Sequence, residues 1–401
     1  MVVAMGRTAM SDRTAVVLAA GEGKRLRPLT RHRPKPMLPA GVRPILEYVF
    51  DALIDAGITS IVVVVGYKRT DVQSHFGPSY RDVPLTYAVQ EKQLGTGHAV
   101  LPAEPHVDGS FLLVNGDQVI DNRIVRDVLE RHAASRAVTT IGLLRRSDIG
   151  EYGGVLTDNG TISEIVEAPR DDREYRLNSG VYAFDQTVFD AIRRATPRAG
   201  EHLIVDAIEG QIESGDSVVG VESDGFWADA TYPWDLLEVA DLIVETDSRV
   251  DDVDLTSTRV HESAALRPPI VAAPGCEIGA GAVVGPDVCL GANTTVGSNA
   301  VVERCVVDAD VRVGQGATLL DCVIGRGVHI GAGTVVPGGP GDVRIGDRIF
   351  EDRRLGALFG DRVEDRGATR YAPGSIVGSD AVVRTGSIVS GRNTGRTEVG
   401  H

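Results

Sequence analysis

Two kinds of hydrophobic spacing divide the chain. Through the first 245 residues, short apolar runs alternate with longer amphipathic stretches. Residues 15–20 (AVVLAA), 61–65 (IVVVV), 111–114 (FLLV) and 138–144 have the length of buried strands, and residues 44–56 and 122–134 carry helix-like patterning. Strands that alternate with helices predict an α/β domain on a mostly parallel sheet with helices on both faces. From residue 278 the period becomes six. Ile278, Val284, Leu290, Val296 and Val302 recur at that interval, and Gly279, Gly285, Gly291 and Gly297 follow the first four. The phase slips by one into Val307, Val313 and Leu319, slips again into Ile324, Ile330 and Val336, and returns at Val377, Val383 and Val389. A six-residue period belongs to neither a helix nor a simple strand, but it is that of a hexapeptide β-helix, in which each short strand buries one aliphatic residue and a small residue turns the corner.

Composition narrows the function classes. A length of 401 residues agrees with two domains. Lys and Arg number 41 against 56 Asp and Glu, a net charge of −15. So acidic a chain lacks the basic face a general nucleic-acid binder needs, so no nucleic-acid partner is expected. The longest aliphatic runs are far too short for a bilayer, and no basic start followed by an apolar stretch precedes residue 30. The expectation is a cytoplasmic protein with no membrane partner. Cys276, Cys289, Cys305 and Cys322 all lie in the repeat half without the close pairs of zinc or redox motifs, which predicts packing residues in a reducing compartment.

Candidate chemistry begins where the first apolar run breaks, at Gly21-Glu22-Gly23-Lys24-Arg25. Glycines after a strand let backbone N–H groups approach phosphate, and the adjacent cations supply charge. The spacing is not that of a Walker loop, and it lacks the third glycine of a dinucleotide fingerprint. Asn115-Gly116-Asp117 follows the 111–114 run, at the strand end where α/β sheets bind ligands. On spacing alone, Asp117 reads equally as a helix cap or as a metal ligand set against phosphate.

Taken together these pieces resemble a known family. Residues 18–26 (LAAGEGKRL) followed by Lys35-Pro36-Met37-Leu38-Pro39 resemble the signature of sugar-1-phosphate nucleotidylyltransferases, and residues 90–99 (QEKQLGTGHA) resemble the base-reading segment of the N-acetylglucosamine-1-phosphate uridylyltransferase branch. Asn115-Gly116-Asp117, Glu151-Tyr152-Gly153-Gly154, Ile165-Val166-Glu167, Asn178-Ser179-Gly180 and residues 226–229 (FWAD) follow in family order. The resemblance implies a Rossmann-like nucleotidyltransferase domain over residues 13–245, a linker over 246–268 and a left-handed β-helix over 269–391.

It also implies roles. Leu18, Ala20, Gly21 and Gly23, with Arg25, would hold the triphosphate, and Lys35 would reach the α-phosphate and the sugar phosphate. Gln90, Gly95 and Thr96 would hydrogen-bond the pyrimidine. Gly153, Glu167 and Asn178 would bind sugar hydroxyls, with Glu201 and Thr231 nearby, and Asp117 and Asp229 would hold Mg²⁺. The partners implied are a nucleoside triphosphate, UTP favoured and dTTP as the alternative, and a sugar-1-phosphate. His98 is expected to be structural, and Trp227 and Trp234 to pack rather than stack a base.

The β-helix carries a second resemblance, to hexapeptide-repeat acyltransferases, which implies homo-oligomers with a trimer favoured. In the related bifunctional enzymes this domain acetylates glucosamine-1-phosphate. Aligned on residues 320–334, Gln315 stands where the acetylating branch has His, Thr318 where it has Tyr, and His329 at a downstream Asn position. The following loop, residues 337–341 (PGGPG), is short and lacks lysine. Gln cannot take a proton as imidazole does, so acetyl transfer is expected to be lost. A bifunctional enzyme and a non-catalytic scaffold subunit are the alternatives.

Overall fold

In a computed structural model of the chain, residues 13–146, 149, 152–198, 200–246, 257–393 and 398–399 are described. Glu151 and the linker residues 247–256 lie outside them. The chain forms two compact units, Met1–Gly21 with Leu46–Trp227, and Glu22–Ile45 with Ala228–His401. The segment carrying Gly23, Arg25 and Lys35 therefore groups with the repeats.

In the first unit, β1 (Thr14–Ala19), β2 (Ser60–Val65), β3 (Ser79–Tyr80), β4 (Val83–Val89), β5 (Phe111–Asn115), β6 (Thr139–Leu144), β7 (Gly153–Asp158), β8 (Thr161–Glu167), β9 (Arg176–Phe184) and β10 (Val218–Glu222) form one sheet, in the order β7-β8-β10-β6-β9-β5-β1-β2-β4-β3. The run β5-β1-β2-β4 is parallel, as the alternation of apolar runs predicts. Its strands are buried on both faces, so they read as continuous β-branched sequence, such as Ile61 to Val65, all between 0% and 1% exposed. Strand β9 enters antiparallel between β5 and β6. Its register breaks between Asn178 and Tyr182, where Gly180 takes φ +72°. A side chain there would meet the Gln118 and Asn115 amides at 2.5 and 2.7 Å. The break is a bulge that re-aims Asn178.

In the second unit the repeats build a parallel β-helix. The described strands form three parallel sheets of eight, seven and seven strands. Ile278 pairs with Val296 eighteen residues on, and Val296 with Val313 after seventeen, so the slips in the sextet phase are coils one residue short. Aliphatic residues at the sextet positions fill the interior, with Ile278, Val284, Leu290, Val296 and Val302 at 0–2% exposed. All four cysteines are buried and free.

One sheet is apolar on its outer side too. Cys289, Val306, Val323, Leu358 and Ile376 stack in register and are buried. Helix α7 (Asp235–Thr246) lies against strands Cys305–Val307 and Cys322–Ile324 of that sheet. Arg304 and Asp241 pair at 2.8 Å beside it. Among the described residues no helix is long and apolar enough to cross a membrane.

Candidate active site

In the first unit, β1 ends at Ala19 and the chain reaches Ala20 and Gly21, with open space where a Gly21 side chain would stand. Gly116 comes close beneath this turn: its N–H donates to the Leu18 carbonyl at 2.9 Å, and a Cβ on it would stand 2.8 Å from that oxygen. Only glycine permits the approach, which sets Asp117 at the carboxyl ends of β1 and β5, where open α/β sheets bind ligands.

Gln90 follows β4 and is buried. Its Nε2 donates to the Gly95 carbonyl at 3.3 Å and contacts His98 Nδ1 at 3.0 Å. Burial, aided by His202, lowers the His98 pKa, so the neutral ring can accept from the amide. His98 thus orients Gln90. Gly95 has φ +100°, and a Cβ there would meet the His202 carbonyl oxygen at 2.4 Å. Thr96 Oγ1 accepts from the Ile204 N–H at 3.1 Å, capping α6 (Ile204–Glu213) from a distant segment. Its hydroxyl proton remains available to donate.

Gly153, Glu167 and Asn178 meet through the sheet. Gly153 is the register partner of Glu167, and its position faces Asn178, whose Cβ lies 3.3 Å from where a side chain would start. Asn178 donates from Nδ2 to the Tyr182 hydroxyl at 2.8 Å and accepts from the Gly180 N–H at 3.1 Å. Burial raises the Glu167 pKa, Asp206 adds to the shift and Arg198 opposes it. Tyr182 and Asp206 belong to no motif and escape sequence reasoning. Trp227 donates to the Ser179 carbonyl at 2.9 Å, a packing role as expected.

The second unit holds Gly23, Arg25, Lys35 and Asp229. Gly23 sits at φ +61°, where a Cβ would meet Lys35 Cβ at 2.8 Å, and its carbonyl accepts from Thr30 Oγ1 at 2.8 Å. The loop closes on Lys35 because Gly23 has no side chain. Lys35 Nζ lies 3.2 Å from Asp229 Oδ1, both side chains 12% exposed, and Thr231 donates to the other Asp229 oxygen. Arg25 stacks over Tyr232 at 5.6 Å. Tyr232 packs in turn on Trp234 and on Phe350 of the hairpin Gly341–Ile345/Arg348–Arg353. Burial pushes the Asp235 carboxyl up to about 7, with Asp229 adding and the Tyr232 N–H opposing.

A cavity of about 520 Å³, lined by Arg13, Asp108, Arg126 and His132, opens in the first unit near the start of β1 and β5, and none of the site residues above lines it. In the repeats, Gln315 and His329 are exposed and Thr318 is half-buried; Glu364 is the register partner of His329. The loop that would carry acetyltransferase lysines is tied to Asp321 by the Gly339 N–H at 3.0 Å, and Arg354 Nε, from beyond the loop, donates to the same carboxylate at 3.0 Å.

Asp117 in the first unit and Asp229 in the second each offer hard carboxylate oxygens, the donor chemistry that fits Mg²⁺, which takes one or two carboxylates together with substrate phosphates. Among the described residues no three His, Cys, Asp or Glu side chains form an all-protein metal cage.

Known proteins place the chain. The "Nucleotidyl transferase" family model matches residues 14–246, and the "GMPPB C-terminal domain" model matches residues 266–394. The UTP–glucose-1-phosphate uridylyltransferase AglF of Haloferax volcanii is 40% identical over 226 residues, which is 55% of this chain and 92% of AglF. The bifunctional protein GlmU of Methanococcus maripaludis is 30% identical over 401 residues, 94% of each chain. A UDP-glucose pyrophosphorylase solved with UDP-glucose shares the fold at TM-score 0.54 and 20% identity, covering 58% of this chain and 98% of that one. With its signature loop, sheet and repeats all accounted for, the chain belongs to the nucleotidyl transferase family.

Proposed function

We propose that the chain transfers a nucleoside monophosphate from a nucleoside triphosphate to a sugar-1-phosphate, releasing pyrophosphate and an NDP-sugar. UTP is favoured over dTTP, with glucose-1-phosphate or N-acetylglucosamine-1-phosphate as acceptor. One observation carries this reading: Lys35, one of four lysines in an acidic chain, stands 3.2 Å from Asp229 with its side chain only 12% exposed, in a loop closed by Gly23. A non-catalytic scaffold subunit need not keep the charges of the site, whereas Arg25, Lys35, Asp117 and Asp229 are all present.

The sugar phosphate is already a nucleophile. Its oxygen attacks the α-phosphorus in line, that P–O bond forms as the bond to pyrophosphate breaks, and no protein nucleophile intervenes. Lys35, a compact point charge, offsets the negative charge growing on the α-phosphate. Leu18, Ala20, Gly21, Gly23 and Arg25 hold the triphosphate. Asp117 and Asp229 would hold Mg²⁺, which when bound offsets charge on the phosphate oxygens.

Gln90 spends its amide donor on Gly95 and His98, leaving its oxygen to accept from the pyrimidine N3–H. Uracil and thymine both carry that donor and cytosine does not, so Gln90 excludes CTP without separating UTP from dTTP. The similarity to AglF, named for UTP and glucose-1-phosphate, supports the same choice. Gly153, Glu167 and Asn178 form the sugar half, where the Glu167 carboxylate accepts hydroxyl protons. The β-helix serves assembly, a trimer favoured, rather than acetylation, and the protein is cytoplasmic. A matrix of nucleotides against sugar phosphates with Mg²⁺, read by pyrophosphate release, tests the reading. Turnover is expected with UTP, and no release from any pair would overturn it.

A further inference from the structure

Arg33 stands two residues before Lys35 and has no part in the site described above. It is 8% exposed. One guanidinium nitrogen pairs with Asp308 and the other with Asp361 at 2.9 Å. These carboxylates sit at one corner of the β-helix, on either side of an intervening coil: strand Cys322–Ile324 pairs with Cys305–Val307 before Asp308 and with Ala357–Phe359 before Asp361. The intervening corner is Gly325, where a Cβ would meet the Asp361 carboxylate at 2.7 Å. Both acids are held by backbone, Asp361 by the Arg326 N–H at 3.1 Å and Asp308 by the Ala309 N–H at 2.6 Å. The same corner continues to Ser379, which donates to the Pro28 carbonyl at 3.3 Å, while Gly360 admits the Pro28 ring.

Resting on the functional reading above, we infer that Arg33 is a positioning residue for Lys35 and that the β-helix corner Asp308–Gly325–Asp361 is part of the nucleotidyl-transfer apparatus. Between Arg33 and Lys35 lies Pro34, and Pro36 follows, so both neighbours of Lys35 have restricted backbones. A guanidinium fixed by two buried carboxylates therefore sets where the lysine emerges. Removing the anchor leaves Lys35 chemically intact but displaced, and a displacement near 1 Å costs reaction rate more than ground-state binding.

The test is a double-mutant cycle in the full chain, read by pyrophosphate release with UTP and Mg²⁺. Arg33→Gln is expected to lower kcat about 10- to 100-fold while the KM for UTP moves less than about threefold. In a Lys35→Ala background the same change should cost under about twofold, because a residue acting through Lys35 has nothing left to position. Equal losses in both backgrounds, or kcat and KM moving together, would overturn the inference. If Arg33→Gln fails to fold, Asp361→Asn enters the same cycle from the β-helix side. A second readout is independent of turnover. With ¹³C-lysine, the four lysines give four side-chain signals. Asp361→Asn should shift that of Lys35 and leave those of Lys68 and Lys92. An unmoved Lys35 signal sinks the inference even where the wild type releases no pyrophosphate, an outcome that by itself counts only against the functional reading.

Discussion

The segment around Gln90, proposed to read the base, and the segment around Lys35, proposed to meet phosphate, are held by different means. Gly95 and Gly97 lie directly on the His202–Leu203 backbone, with the Gly97 N–H donating to the His202 carbonyl at 2.8 Å, and Thr96 Oγ1 accepts from the Ile204 N–H. Their geometry rests on main-chain contact that no titration alters. The 22–45 segment rests on charged side chains: Arg33 between two carboxylates and Lys35 against Asp229. Main-chain contact gives a shape that fails only when volume is added. Charge pairs give a position that fails when one partner is lost, because the other is then buried alone.

The sharpest way to break this contrast is Lys35→Ala, expected to lower kcat by about 10²–10³-fold, the scale of losing one preorganised charge-stabilising group, with the fold kept but the melting midpoint lowered because Asp229 loses its lysine. Near-normal pyrophosphate release would remove the phosphate half from the mechanism. Gly95→Ala attacks the other half by adding volume. Its Cβ collides with the His202 carbonyl at a positive φ, so a loss of about 1–3 kcal/mol of stability and a raised KM for UTP are expected, with kcat less affected. Calorimetry and initial rates together read it, and an unchanged KM would count against contact as the organising principle.

Asp235 sharpens the titratable side. Its folded carboxyl titrates near 7 against an ordinary 3.8. The folded state therefore keeps a proton that the unfolded chain releases, and stability falls as pH rises between those values. In metal-free buffer the melting advantage of wild type over Asp235→Asn should shrink by at least about 3 °C from pH 4 to pH 8; a constant difference would refute the assignment. Thr96→Val removes the cap on α6 and should cost about 1 kcal/mol, read as a small fall in melting midpoint. The smallest effect is expected in the repeats: with acetyl-CoA and glucosamine-1-phosphate the protein should release no free thiol, and His329→Ala should leave nucleotidyl transfer unchanged. Steady thiol release would make the β-helix a second enzyme.

What the sequence discloses follows from how local each signal is. The sextets are legible because one position in six meets the same interior on every coil, and even the seventeen-residue coils appear as slips in phase. The parallel strands β1, β2, β4 and β5 are legible as apolar runs of strand length. The antiparallel entry of β9 is not, since an apolar run carries no direction. Lys35, Gly23 and Gln90 stand in contiguous motifs. Arg33 and Asp361 are 328 positions apart, and nothing at either end marks the pairing. The outer apolar column Cys289–Val306–Val323 reads as ordinary strand residues until α7 is seen against it.

The corner that Arg33 grips also limits which insertions and deletions the chain can accept. A β-helix grows or shrinks by whole rungs, each about 4.8 Å along its axis. Asp308 and Asp361 are two rungs apart and share one guanidinium, so a rung gained or lost between them would carry one acid out of reach. The hairpin Gly341–Ile345/Arg348–Arg353 lies between them in sequence yet adds no rung, because Cys322–Ile324 pairs directly with Ala357–Phe359. Length can drift in that excursion. The ladder beneath it must keep count.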